Sequence, residues 1–465
     1  MSELTRPWTA ARTANAVRNR EISAETVASN ALEVIKRVNP LVNAFTEVTS
    51  ERALLEARCV DTALAAGHDL PLAGVPFAVK NLYDVAGQTT LAGSRINRDA
   101  PAATADGHLV SKLKASGAIL TGCLNMGEYA YDFTGENSHD GTCKNPHDLT
   151  RMTGGSSSGS ASAAASGMVP VTLGSDTNGS IRVPASFCGL FGLKPTFGRL
   201  SRAGTFPFVA NLDHLGPLTR SAEDLALVYD VLQGLDPADP WQANRPTQPT
   251  LPELPKGLDG LRIAVAGGFF RQMGEPEAFD AVDLVARALG ISEEIDIPEA
   301  ARARAAAYVI TTAESSTLLL DKILSRPQDF DPDTRDRFIS GTMVPAVWLQ
   351  QAHRFRSWFR DMMREIFKSV DILLAPATPF HALKSGTRTM TLNGQEMLAR
   401  PNIGLFTQPI SFIGLPVATV PVWLDGAALP IGVQVIAPAW REDLALRVAH
   451  HLQEMGTVQA PVADL

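Results

Sequence analysis

Residues 153–160 read TGGSSSGS, and the chain runs straight on into ASAAASG, which ends at Gly167. Composition alone reads this as a flexible linker, since Gly and Ser keep a chain mobile. Its surroundings oppose that. An Ala-rich run of high helix propensity follows at once, and VPVTLGSDTNGSIRVPAS (169–186) then brings a second Gly/Ser turn, with Ser180 standing 24 residues beyond Ser156. A linker does not usually bracket a helix and a strand. A phosphate loop needs a Gly-rich turn ahead of a helix and often a lysine followed by Ser or Thr, and the lysine is missing here. The string GSSSG (155–159) formally matches the Gly-x-Ser-x-Gly elbow, with Ser157 as its nucleophile. That elbow follows directly on a buried strand, whereas the preceding CKNPHDLTRM is polar and turn-rich. A fourth reading joins Ser156 and Ser180 to a lysine elsewhere in the chain.

That lysine is found by working outward. LAGVPFAVKN (72–81) reads as a strand whose alternation puts Val75, Phe77 and Val79 on one face and Pro76, Ala78 and Lys80 on the other. Lys80 thus points where its neighbours are small. HLVSKLKASGAILTGCLN is a helix, a stop at Gly117 and an apolar strand, the unit from which α/β folds are built. LRIAVAG, EAFDAVDLVARALG and SEEIDIP repeat strand, helix and strand, and LPVATVPVW and PIGVQVIAP form a hairpin across the turn DGAA. At the ends, Val27, Ala31 and Ile35 share one helical face, and Leu444, Val448, Leu452 and Met455 form one stripe. The expected fold is α/β, a large mixed β-sheet core covered by helices on both faces. One stretch has linker composition, residues 236–257 with six prolines. It reads as a surface excursion within a single domain spanning 1–465.

Composition narrows the function. The chain has 465 residues, 45% hydrophobic and 19% charged, enough to bury a large core. A net charge of −8 without a basic run predicts no nucleic-acid footprint and no polybasic membrane anchor. Cys59, Cys123, Cys143 and Cys188 lie far apart, as suits reduced thiols, and no metal or cofactor is expected. No apolar signal core opens the chain and no run reaches the length of a membrane span, so a cytoplasmic enzyme for a small molecule is expected.

Lys80, Ser156 in GGSSSG and Ser180 in DTNGSIRVP form a constellation that resembles the amidase signature family. The resemblance runs through LAGVPFAVKN, NMGEYAYDFTGENS, KNPHD, GGSSSGSASAAASG, GSDTNGSIRVPASFCGLFGLKPTFGRLS and LDHLGPLTRS to LPIGVQVIAP, nearly the whole chain. It implies that Ser180 forms the acyl-enzyme, that Ser156 follows a cis peptide bond after Gly155, and that Lys80 is the final base. The chemistry agrees. A serine hydroxyl needs a base, none of the nine histidines lies in either serine motif, and a lysine serves once burial has made it neutral. The turn DTNGS can direct the backbone N–H groups of Thr177, Asn178, Gly179 and Ser180 at an oxyanion. Where this chain has Asn178 the family more often has Gly, and where it has Ser411 the family commonly has Asn.

Around these, Asp176 and Arg182 read as an ion pair bracing the turn, Ser157 as a loop brace and Cys188 as a core residue. The resemblance also offers Tyr131 and Asn137 as substrate-pocket residues. It points to release of ammonia from a terminal amide of a small urea-like carboxylate of the carboxybiuret or biuret type. Oxalurate and glutamine, the latter as in a glutaminase subunit of glutamyl-tRNA amidotransferase, are the alternatives. It further implies a small accessory subunit in a homodimer or heterotetramer, with Trp241 and Leu251 of the Pro-rich excursion as candidate contacts.

Overall fold

The computed structural model describes residues 8–465, so the first seven residues of the stretch read for a signal core lie outside the described residues. A mixed sheet of eleven strands runs through the molecule. From edge to edge its strands are Phe45–Val48, Ile119–Leu124, Pro76–Lys80, Val171–Asp176, His214–Thr219, Phe191–Lys194, Val417–Val422, Ile431–Ile436, Ile372–Pro376, Ile263–Ala266 and Glu294–Ile295. The pairings on the two flanks, around Pro76–Lys80 and around Ile263–Ala266, are parallel, and those between them are antiparallel. Nine consecutive strands of this order, from Ile119–Leu124 to Ile263–Ala266, are buried at every position. Strands covered on both faces need apolar residues at consecutive positions, which is why ILLAP (372–376) and IAVA (263–266) read as unbroken runs.

Strands from before and after the Pro-rich segment sit side by side, since Phe191–Lys194 pairs with Val417–Val422. The segment itself is pinned by Asp230, whose carboxylate accepts from Thr250 N at 2.7 Å and Leu251 N at 2.9 Å. Leu254 is buried beneath it and Leu251 packs partly against the main core. Trp241 remains 46% exposed, so of the two apolar residues expected to stand free only this one does. Two smaller departures have the same cause, the place where a helix ends or turns from the core. Val27 lies at the margin of the buried stripe of helix Ala24–Val42, and Met455 caps helix Glu442–Glu454 in solvent before Gly456 turns the chain away.

The Gly/Ser stretch lies in the interior. Helix Ser158–Ala165 is buried at all of its positions, because Ala and Ser present so little bulk that strands can approach it closely. Gly159 is needed there, since a Cβ would collide with the carbonyl of Ala44. The serines do not remain unsatisfied. Ser157 Oγ donates to Ser175 O at 3.1 Å, Ser160 Oγ to Leu173 O at 3.0 Å and Ser162 Oγ to Lys144 O at 3.0 Å. Each hydroxyl thereby staples the helix to a neighbouring strand. Among the described residues no helix is long and apolar enough to cross a membrane.

Candidate active site

Lys80 ends the strand Pro76–Lys80 and is completely buried. Its Nζ lies 2.6 Å from Ser156 Oγ and 2.8 Å from Ser175 Oγ. Burial favours the neutral amine and brings its pKa down to about 7, against the pull of Asp176, Asp213 and Asp132, which favour the charged form. A neutral amine has a lone pair to accept from one hydroxyl while it donates to the other. The peptide bond between Gly155 and Ser156 is cis. Gly155 N donates to Phe133 O at 2.9 Å and Gly127 N to Ser156 O at 3.2 Å, which fastens this turn to the loop 127–133.

The second turn is held from below by a buried ion pair. Arg182 Nε and Nη2 each lie 2.9 Å from an oxygen of Asp176, with both side chains shut off from solvent. Burial alone would push the Asp176 carboxyl up, but Arg182 beside it holds it well below the usual carboxylate range. The remaining donors of Arg182 reach Gln434 Oε1 at 2.7 Å, Thr407 O at 3.1 Å and Ser411 Oγ. Asp176 also accepts from the backbone of Ile181 at 3.2 Å, just past Ser180. Two more side chains fasten the intervening residues: Thr177 Oγ1 donates to Asp213 at 2.6 Å, and Thr407 Oγ1 donates to Asn178 O at 2.7 Å. Gly179 has φ of +145° and lies so close to Thr407 that a Cβ would strike its hydroxyl. Among the described residues, the backbone N–H groups of Thr177, Asn178, Gly179 and Ser180 meet no acceptor.

A narrow cavity opens beside Ser180, walled by Tyr131, Asp132, Phe133, Thr177, Asn178 and Arg337 among others. The Asp132 carboxylate is occupied, accepting from Thr134 N at 2.9 Å and Gly135 N at 2.6 Å and pairing with Arg400. Arg337 is different. Its guanidinium stacks 3.6 Å from the Tyr131 ring centroid and donates to Tyr131 O at 2.7 Å, yet its buried Nε has no partner among the described residues. A larger cavity of about 290 Å³ approaches Ser175 from the other side, between Leu82, Arg202, Phe206 and Trp241. Ser180 does not line it.

Lys80 and Ser156 are thus in hydrogen-bond contact, and Phe133, whose carbonyl accepts from Gly155 N, lines the same cavity as Ser180. Tyr131 lines the cavity. Asn137 does not; its Nδ2 donates to Gly93 O at 2.7 Å and Met126 O at 2.8 Å, which ties two loops behind the wall. Cys188 is buried, and burial pushes its thiol up, away from nucleophilic use. Four residues carry no sequence signal of their own: Ser175, Thr311, Arg337 and Thr407. Ser175 is a polar end to an apolar strand, a hint at most, and the other three come from helices or loops more than a hundred residues away.

The fold and this serine-lysine site define a class, and the chain belongs to it: it matches the Amidase family over residues 26–446, making it an amidase signature hydrolase, an enzyme of amide C–N bonds. It is 54% identical over 436 residues, 93% of this chain and 95% of the relative, to AtzE, the 1-carboxybiuret hydrolase subunit of Pseudomonas sp. (strain ADP). It is 34% identical to a glutamyl-tRNA(Gln) amidotransferase subunit of Methylococcus capsulatus, over 96% of each chain. Among solved structures, an s-triazine catabolic enzyme described in a vestigial protein complex superposes with a TM-score of 0.96 at 51% identity, over 97% of this chain and 100% of that one. The corresponding amidotransferase subunit of Thermotoga maritima gives a TM-score of 0.80 at 30% identity, over 95% of each chain.

The buried pair beneath the Ser180 turn yields a direct expectation. Arg182→Met leaves the Asp176 charge without its partner, and urea unfolding should show a loss of about 3–5 kcal/mol. A loss below about 1 kcal/mol would mean that the pair does not hold the turn.

Proposed function

We propose that this chain hydrolyses the terminal amide of a small ureido acid of the 1-carboxybiuret type, releasing ammonia through an acyl-enzyme. The observation that carries the mechanism is the contact of 2.6 Å between the buried Lys80 amine and the Ser156 hydroxyl. Ser180 Oγ attacks the terminal carbonyl carbon. Its proton passes to the Ser156 hydroxyl, whose own proton goes to Lys80. The carbonyl oxygen gains the electron pair and is met by the free N–H groups of residues 177–180. As the tetrahedral centre collapses, the C–N bond breaks and the relay returns the proton to the leaving nitrogen, which departs as ammonia. Water then attacks the acyl-enzyme, activated by the same relay, and restores Ser180. The chain acts in this as one catalytic unit, with 236–257 as a surface excursion.

Two observations support the reading of the acyl side of the substrate: the 54% identity to AtzE and the charge of the cavity. Arg337 supplies a guanidinium with a free donor a short way from Ser180, and a carboxylate is the group that matches it. The Asp132 carboxylate in the same wall is already engaged by Arg400 and by the N–H groups of Thr134 and Gly135.

Ammonia release from 1-carboxybiuret, biuret, oxalurate and glutamine tests the reading, with 1-carboxybiuret expected to give the highest kcat/KM and glutamine the lowest. Glutamine leading the series would move the chain to the glutaminase reading. Ser180→Ala should lower kcat/KM by roughly a thousandfold or more with the melting temperature little changed, and Lys80→Arg should lower kcat/KM as far while also lowering the melting temperature, since Arg keeps its proton at every working pH in a site that holds a neutral amine. In the unaltered enzyme the amine is neutral above about 7 and protonated below it. The rate should therefore rise with pH, roughly tenfold per unit below that point, and level off above it. A rate that falls as pH rises through 7 would exclude a neutral lysine base.

Removing the guanidinium separates charge recognition from chemistry. Arg337→Leu should raise KM for oxalurate and 1-carboxybiuret by roughly ten- to a hundredfold, the range expected for a charged hydrogen bond, and raise it far less for uncharged biuret. Equal effects on charged and uncharged substrates would remove Arg337 as the anchor.

A small accessory chain completes the assembly, either in a heterotetramer or beside a homodimer. The solved relative in a vestigial complex and the amidotransferase subunits favour such a partner. Exposed apolar residues in the second half of the chain offer it contacts: Leu324 is 73% exposed and Met343 71%, with Val347 and Trp348 following. Co-expression with the small open reading frame beside the gene should raise soluble yield and melting temperature and give a co-eluting complex by light scattering. Equal yield and stability with no co-elution would leave the chain to act alone.

A further inference from the structure

The cavity wall contains one acceptor without a partner, and it belongs to the residue by which the Ser180 turn departs from the glycine commoner in its family. Asn178 is only 7% exposed and lines the cavity together with Ser180. Its Nδ2 donates to Thr311 Oγ1 at 2.8 Å. Chemistry decides which end of the amide faces Thr311. The Thr311 hydroxyl donates its single proton to Ala307 O at 2.8 Å, one turn back along its helix, so toward Asn178 it can only accept. The amide nitrogen has to face it. Asn178 Oδ1 is then left as a buried acceptor with no hydrogen-bond partner among the described residues. Buried acceptors are rarely left empty, because desolvating them without a donor is costly. Asn178 lines the cavity, and a molecule bound there can bring the missing donor.

We infer that Asn178 is a specificity-determining residue whose Oδ1 accepts a hydrogen bond from a substrate N–H next to the scissile carbonyl, so that the site selects ureas and acylureas over simple amides. The inference rests on the reading of the chain as an amidase for small ureido acids. A urea-type group carries an acceptor oxygen and, on the adjoining atom, a donor N–H. Asn178 offers the complement within one residue, a backbone N–H without an acceptor and a side-chain oxygen without a donor. A simple amide, glutamine included, has CH₂ where the urea has N–H, and CH₂ would leave Oδ1 empty. A site built to bond an N–H discriminates against the analogue that lacks it, because its own buried group then goes unpaired. Glycine at this position would keep the backbone donor and lose the acceptor.

The test uses two pairs of stable compounds that differ by N–H against CH₂: biuret against malonamide, and N-carbamoylglycine against succinamate. Each is read as a substrate by ammonia release, or as a competitive inhibitor where it is not turned over. The quantity compared is the ratio within a pair, which cancels changes in fold or in the oxyanion donors. Intrinsic reactivity differs between ureas and amides, so the ratio in a variant is set against the ratio in the unaltered enzyme. Asn178→Gly and Asn178→Leu should each move the ratio roughly tenfold toward the CH₂ compound. Thr311→Val, which leaves the Ser180 turn untouched and removes only the group that orients the amide, should move it in the same direction by roughly threefold. This variant answers the question should the Asn178 variants fail to fold. Ratios within twofold of the unaltered enzyme in every folded variant overturn the inference alone. If the unaltered enzyme neither turns over nor binds any N–H compound, 1-carboxybiuret included, the functional reading fails and this inference with it.

Discussion

A lysine shut completely inside a β-sheet is the constraint on which this structure turns. Lys80 cannot be solvated where it stands, and a full charge there would need a close carboxylate that the site does not provide. Asp176, Asp213 and Asp132 act on it only at a distance, and burial outweighs them. What the surroundings do provide is two hydroxyls, Ser156 and Ser175, at ordinary hydrogen-bond distance. An environment of hydroxyls and apolar strands suits an amine and not an ammonium. The same burial that makes the lysine costly to house makes it able to take a proton near neutral pH.

Everything packed against Lys80 has to be small and hydrogen-bonded, and this explains the composition that first looks like a linker. Helix Ser158–Ala165 comes close to the sheet because Ala, Ser and Gly leave room, and Ser157 and Ser160 each donate to a strand carbonyl. The neighbouring turn follows the same logic with charge added. Asp176 and Arg182 use one another and the backbone around Ser180, and Ser411, where the family commonly has Asn, completes the set as a partner of both. Rigid surroundings of this kind keep backbone donors pointed at a position where charge develops, without reorganisation when it does.

The substrate cavity is assembled differently. One side of it is the Ser180 turn and the loop 130–133, both in motif-rich sequence. Its far wall comes from the second half of the chain, where Thr311 and Tyr308 lie on the helix Ala300–Leu318 and Arg337 on the helix Pro332–Gly341. Under the proposed function, reaction class and substrate choice therefore rest on different parts of the chain.

The sequence by itself determined the α/β fold, the run of buried strands and the pairing of Asp176 with Arg182, because each is written in local periodicity or within a short stretch, whereas Lys80, Ser156 and Ser180 were legible as a set through the resemblance of their motifs to the amidase signature family. Consecutive apolar residues report burial on both faces, and small residues around a reactive side chain report close packing. Tertiary structure alone decided the rest. Ser175 becomes the second partner of Lys80 through strand pairing, and Leu251 turns inward because Asp230 pins the backbone beside it. Asn137 serves as a brace and not a pocket residue because two distant carbonyls, of Gly93 and Met126, claim its amide. Arg337 and Thr311 enter the site from helices whose own sequence carries no sign of it. A hydrogen bond between residues far apart in the chain has no local pattern to betray it, since only the folded path brings donor and acceptor together.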